Sequence, residues 1–251
     1  MKRLIVNADD FGRTSGVNAG VLEAHLFGIV TSATVMVLEA TAEEGVSEAQ
    51  SRAPRLCLGL HFVLTGGGLP ASARDRIPSL LVGGRFPRTA ESLPRDLSRE
   101  DVSRELDAQI FLFEKMAGRL PSHLDSHHHS ALHPAVQPVF AEAARRLGIP
   151  ARASSERARD ELRASGVATP DRFLDGFYGG GATAENLHAI VSGLAEETSE
   201  LMCHPGRADE KLVLGSTYAR ERERELAILC DREIRTLLTE AEIRLISFRD
   251  L

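Results

Sequence analysis

The chain has 251 residues, 43% of them hydrophobic and 26% charged, the proportions of a globular protein able to bury one substantial core. Basic residues number 30 and acidic ones 36, a net charge of −6, which argues against an electrostatic nucleic-acid binder. The opening apolar run, Leu4 to Val6, is too short for a signal-peptide core, and no 18-residue apolar stretch occurs, so a cytoplasmic protein with no membrane partner is expected.

Short apolar runs alternate with helical patterns along the chain. Leu4-Ile5-Val6 reads as a first strand, followed by a helix through Val17, Val21, Leu22 and His25. Thr34 to Leu38 reads as a second strand, 42–52 as a helix ended by Pro54, and Leu56 to Leu60 as a third strand. Residues 64–97 hold Gly66-Gly67-Gly68, Gly83-Gly84 and the prolines 70, 78, 87 and 94. They read as a long loop, of the kind that serves as a lid or binding loop. A helix follows from about Ser98 to Gly118, with Ser98 and Asp101 spaced as an N-cap pair. An extended stretch at 123–126, a helix at 134–147 and a short strand at 150–153 come next, while 154–180 carries no clear pattern. The chain closes with a helix at 184–197, a strand at 200–203, one charge-laced helix at 217–239 and a strand at 243–248. Within that last helix, Arg220 to Glu225 alternates in sign and reads as a solvated face. Strands and helices in alternation predict an α/β domain with a parallel sheet, open or closed as a barrel, over residues 1–251.

The polar residues most expensive to bury fall where these strands end. Asp9 and Asp10 end the first and His61 the third. Asp125 and His127 end the fourth, Arg152 the fifth, and His204 follows a late one. Parallel α/β folds build their sites at the carboxyl ends of strands. If extended, His123 to His129 puts His123, Asp125, His127 and His129 on one side, and imidazoles with a carboxylate suit a catalytic metal that keeps open positions. Adjacent carboxylates such as Asp9 and Asp10 repel unless their tasks differ, one ligating an ion and the other accepting a proton. His204 has the pKa range of a proton donor. Cys203, one strand position away, faces the opposite side and does not pair with it as a nucleophile. Cys57, Cys203 and Cys230 form no CxxC pair, which argues against a thiolate zinc knuckle or a disulfide framework. Arg152 reads either as a surface charge or as the partner of a catalytic carboxylate. Tyr178, followed by three glycines, suits close approach to a ligand or a plain turn.

Six segments, Asn7–Gly12, Gly28–Ser32, Gly59–Thr65, His123–His129, Phe177–Gly179 and Met202–Pro205, resemble the YdjC family of carbohydrate deacetylases, in particular its chitooligosaccharide deacetylase branch. The resemblance implies a deformed (β/α) barrel akin to polysaccharide deacetylases, an acetylated carbohydrate substrate, often a homodimer, and a divalent metal, Mg²⁺ first and Zn²⁺ second. It implies Asp10, His61 and His127 as metal ligands, Asp9 as general base and His204 as general acid. Arg152, Tyr178 and Asp125 take supporting or substrate-binding places. Family members often follow the triple histidine with Val-His, whereas Ser130-Ala131-Leu132-His133 follows here, a difference that bears on the substrate rim. Two other readings stand beside this one. A metal-dependent phosphoesterase would need a second ion, with His129, Asp125 and His133 as candidate ligands. A non-catalytic sugar- or metal-binding module would need neither Asp9 nor His204, and with no Trp and two Tyr the chain has few aromatic platforms.

Overall fold

The apolar run that opens the chain extends into a nine-residue strand, buried at every position after Arg3. The computed structural model describes residues 1–251. In chain order the elements begin with β1 (Arg3–Phe11), α1 (Ser15–Leu26), β2 (Ser32–Val35), α2 (Ala42–Arg52) and β3 (Cys57–Phe62). Then come α3 (Arg99–Ala117), β4 (Leu124–Ser126), α4 (Gln137–Leu147), α5 (Glu156–Ala164), β5 (Arg172–Leu174) and α6 (Ala184–Ser192). The last are β6 (Thr198–Cys203), α7 (Glu210–Gly215), α8 (Arg220–Leu229), α9 (Arg232–Glu240) and β7 (Arg244–Ile246). None of the helices is long and apolar enough to cross a membrane.

Contacts divide the chain into two compact units. The first comprises Met1–Val35, Glu39–Leu58 and Pro170–Leu251. Here β1 lies between β2 and β6, with β5 outside β6 and β7 beside the first half of β1, all parallel. The β1–β6 register runs from Arg3↔Thr198 to Ala8↔Cys203. Burial at every position after Arg3 covers both faces of β1, which is why it opens on a continuous apolar run rather than an alternating one. Thr14 caps α1 by accepting from the Val17 N–H at 3.2 Å. The charge-laced segment expected as one helix is two, α8 and α9. The break falls at Cys230 and Asp231, where the Asp231 carboxylate accepts from the Glu233 N–H at 2.9 Å and starts a new helix.

The second unit comprises Met36–Leu38 and Gly59–Thr169. Within it β3 pairs in parallel with β4, placing His61 opposite Asp125. The strand expected at 150–153 is reduced to a single bridge, Leu124↔Ala151. The α3 N-terminus is half of the expected capping pair. Ser98 Oγ accepts from the Asp101 N–H, but the Asp101 carboxylate turns away to take the Ser79 N–H and hydroxyl at 3.0 and 2.8 Å. Glu105, one turn on, accepts from the Ala71 and Ser72 N–H groups, both at 2.9 Å. Gln109, a further turn on, pairs with both backbone groups of Val63. A polar stripe at i, i+4 and i+8 thus ties 63–79 to α3, and Ile77, Leu80 and Phe86 are buried beside it. The long loop is a pinned segment of short 3₁₀ turns rather than loose chain.

Gly59 is where β3 meets β4 most closely. A Cβ there would lie 2.5 Å from the His123 ring and 2.7 Å from its carbonyl oxygen. Gly59→Ala is therefore expected to lower stability by about 1–3 kcal/mol, read as a lower denaturant midpoint at unchanged m-value.

Candidate active site

In the first unit the key feature is an irregularity at the end of β1. Register with β2 holds at Asn7↔Ser32 and Ala8↔Ala33, then slips before Phe11↔Val35. The two residues in the slip are Asp9 and Asp10, and Asp10 takes φ of +66°, a left-handed conformation that Asp tolerates better than most residues. Both carboxylates are buried, yet each has its own surroundings. The Asn7 amide donates to Asp9 Oδ1 at 2.9 Å. Asp10 Oδ2 instead receives two cations, Arg222 through Nη2 and Arg13 through Nη1.

His204 directly follows β6 and sits between two carboxylates, with Nε2 4.0 Å from Asp9 Oδ2 and Nδ1 4.0 Å from Glu225 Oε1. Its backbone N–H donates to Glu225 Oε2, and the Tyr218 hydroxyl donates to Glu225 Oε1. Burial pushes the Glu225 carboxyl up to about 7 from an ordinary 4.5, with the Asp9 charge adding to the rise, while the hydrogen bonds and Arg222 oppose it. Burial likewise raises the Tyr218 phenol, reinforced by the Glu225 charge. Tyr178 stacks on Tyr218 with ring centres 4.3 Å apart and lies 5.2 Å from the His204 ring. The glycines after Tyr178 serve the turn itself: Gly179 N–H donates to the Tyr218 hydroxyl at 3.0 Å, and a Cβ on Gly181 would collide with the Gly176 carbonyl at 2.1 Å.

In the second unit, the β3–β4 register builds a chain of polar contacts. Arg152 Nη1 lies 3.1 Å from Asp125 Oδ2, and Asp125 Oδ1 lies 2.7 Å from His61 Nδ1. A carboxylate only accepts, so Nδ1 carries the His61 proton and Nε2 keeps its lone pair. That Nε2 is 3.2 Å from His127 Nδ1. Two nitrogens that each bind one ion at about 2.0–2.1 Å stand roughly 2.8–3.4 Å apart, from the octahedral to the tetrahedral angle, so the pair fits a shared metal. His127 lies just past the extended stretch expected at 123–126, so the one-sided arrangement that an extension to His129 would give does not form. The strand ends at Ser126, and His128 and His129 both take φ of +52°. His128 then stacks on His127 with centres 3.8 Å apart.

Every residue singled out at a strand end is buried in one of these two groups except His204, which is slightly exposed, and the loop residue Tyr178, which is half exposed. Arg152 is not a surface charge: it is 3% exposed and paired with Asp125. Asp125 is therefore engaged at both oxygens, and His133 Nδ1 accepts from the Ala135 N–H at 3.2 Å, so a second ion would have to displace these bonds. The clearest omission is α8. Arg222 and Glu225, read from sequence as part of a solvated face, are 2% and 0% exposed. The signal was in the spacing, since 222, 225, 226 and 229 share one side of a helix and the last two are leucines.

Buried carboxylates and imidazoles at the ends of parallel strands are the side-chain types of hydrolytic α/β enzymes, and comparison with known proteins narrows the class. The family model described as YdjC-like protein matches residues 3–240. A carbohydrate deacetylase of Geobacillus stearothermophilus is 40% identical over 98% of this chain and 96% of its own length. A chitooligosaccharide deacetylase of Serratia marcescens is 37% identical over 100% of this chain and 99% of its own. The chain belongs to the YdjC family. Among solved structures, a provisionally assigned cellobiose-phosphate cleavage protein of Enterococcus faecalis V583 shares 34% identity at a TM-score of 0.93, covering 99% of this chain and 98% of that one. A family 4 carbohydrate esterase of Streptomyces lividans, bound to acetate, is 12% identical at a TM-score of 0.56 over 97% of this chain and 91% of its own, a likeness of fold. The fold is thus of the expected polysaccharide-deacetylase barrel class.

The raised Glu225 carboxyl has a consequence for stability. Unfolded, it loses its proton near 4.5; folded, near 7. Between those values the folded state holds more protons, so this group's contribution to stability falls as pH rises. The stability difference between wild type and Glu225→Gln, measured by urea unfolding, is expected to shift by about 3 kcal/mol against wild type from pH ~4.5 to ~8.

Proposed function

We propose that the chain is a divalent-metal-dependent carbohydrate deacetylase that hydrolyses N-acetyl groups of amino sugars, chitooligosaccharides among them. The observation that carries this reading is the end-to-end likeness to relatives named carbohydrate deacetylase and chitooligosaccharide deacetylase. The donor set supports it. Asp10, His61 and His127 are each buried and of the kinds that bind a divalent ion, and His61 is already fixed in the tautomer a ligand requires. Magnesium is the first choice on family resemblance, and zinc, which imidazole suits better, is the second. A homodimer and a cytoplasmic location belong to the same proposal.

Bound there, a divalent ion supplies Lewis acidity, which makes a water acidic enough to attack at neutral pH and polarises an acyl oxygen. The chain's own residues do the rest. Asp9, which accepts from the Asn7 amide, accepts the proton of the attacking water. His204 gives a proton to the departing amine, because an amide nitrogen leaves poorly as an anion. Asp125 and Arg152 hold His61 in place. Tyr178, half exposed beside His204, offers a ring edge and face to the sugar.

The test is acetate release from N-acetylglucosamine, diacetylchitobiose and an O-acetylated sugar, using metal-stripped protein with Mg²⁺ or Zn²⁺ restored. Metal-dependent acetate from the N-acetyl sugars is expected; none from any substrate, with metal bound, overturns the proposal. Asp9→Asn should lose roughly 10²–10⁴-fold in turnover with metal content unchanged, whereas Asp10→Asn should lose metal and turnover together. Equal loss of metal in both variants would reject this division of labour.

A further inference from the structure

We infer that Glu225, held by Tyr218, is a positioning residue that sets the orientation and protonation of His204. The inference rests on the deacetylase reading for its consequence in turnover, but its geometry stands alone. Glu225 is wholly buried on α8 and touches His204 twice over, as acceptor of its backbone N–H and as the carboxylate facing Nδ1 at 4.0 Å. The opposite nitrogen, Nε2, faces Asp9. A carboxylate at Nδ1 favours the tautomer with its proton there, and favours the imidazolium over the neutral ring. Tyr218 fixes Glu225 in turn. Its hydroxyl donates to Oε1, accepts from Gly179 N–H, and its ring lies 5.9 Å from that of His204.

Four groups bear on the charge of Glu225: Tyr218 and the His204 N–H donate to it, Arg222 on the same helix favours ionisation, and Asp9 on β1 opposes it. Burial raises the phenol of Tyr178, stacked on Tyr218; Arg222 opposes the rise, and the Asp10 and Glu225 charges add to it. Nothing in this arrangement needs Glu225 to touch substrate. Its part is to keep His204 charged and aimed while Asp9 works beside it.

The decisive measurement is an NMR pH titration of ¹⁵N-histidine-labelled protein, following His204 in wild type, Glu225→Gln and Tyr218→Phe, alongside the pH profile of acetate release. In Glu225→Gln the His204 titration should move down by about one unit or more, and the basic limb of the kcat profile should move with it, with KM little changed. In Tyr218→Phe, loss of the donor that fixes Glu225 should move the His204 titration in the same direction. A His204 titration that superimposes on wild type in Glu225→Gln overturns the inference, as does one that superimposes in Tyr218→Phe. If wild type releases no acetate, the deacetylase reading fails while the NMR arm still decides the role of Glu225.

Discussion

Two ionisable carboxylates stand next to each other at the end of a fully buried strand, and the first unit is arranged around keeping them there. Burying one carboxylate without compensation is costly, and burying two adjacent ones adds their mutual repulsion. The bulge in β1 breaks strict alternation so that the two side chains are not bound to a common pattern of pairing. Arg222 and Arg13 then neutralise Asp10, while Asn7 gives Asp9 a neutral donor. The outcome is a pair of chemically identical groups with different surroundings, the condition under which neighbouring carboxylates take different roles.

The second unit solves a different problem with the same economy of means. Strand register puts His61 opposite Asp125, so a hydrogen bond that settles the imidazole tautomer follows directly from backbone pairing. Arg152 balances the charge of Asp125. His127, just past the end of β4, is placed by a turn whose next two residues adopt left-handed backbone conformations. Non-glycine residues in such conformations persist where surrounding structure over-determines them, commonly at functional sites. The pinned segment above α3 completes the unit by burying apolar side chains that a loose loop would leave in water.

Much of this was legible in the chain. Apolar runs marked the strands, and the Asp, His and Arg residues at their ends pointed to the two groups, because placing such residues beside a core is hard to explain by packing. What stayed hidden has physical causes. Alternating charge on α8 reads as solvated unless one notes that Arg222 and Glu225 share a side with Leu226 and Leu229. Arg222 pairs with Asp10, 212 residues away, and Glu225 with His204, 21 residues away on another element, and neither pairing leaves a local trace. The extended stretch at 123–126 was legible, but the left-handed turn at His128 and His129 was not, because periodicity says nothing about the backbone beyond a strand's end. The break between α8 and α9 turns on a single cap at Asp231 within a strongly helical composition.

The proposed chemistry depends on one divalent ion, with Asp10, His61 and His127 proposed as its ligands. The most direct test is to titrate Mg²⁺ or Zn²⁺ into metal-stripped protein while following bound metal and acetate release from diacetylchitobiose together. The account predicts that both rise in proportion and saturate at one ion per chain. Saturation of activity only at two ions per chain, or acetate release that does not depend on metal, would contradict it.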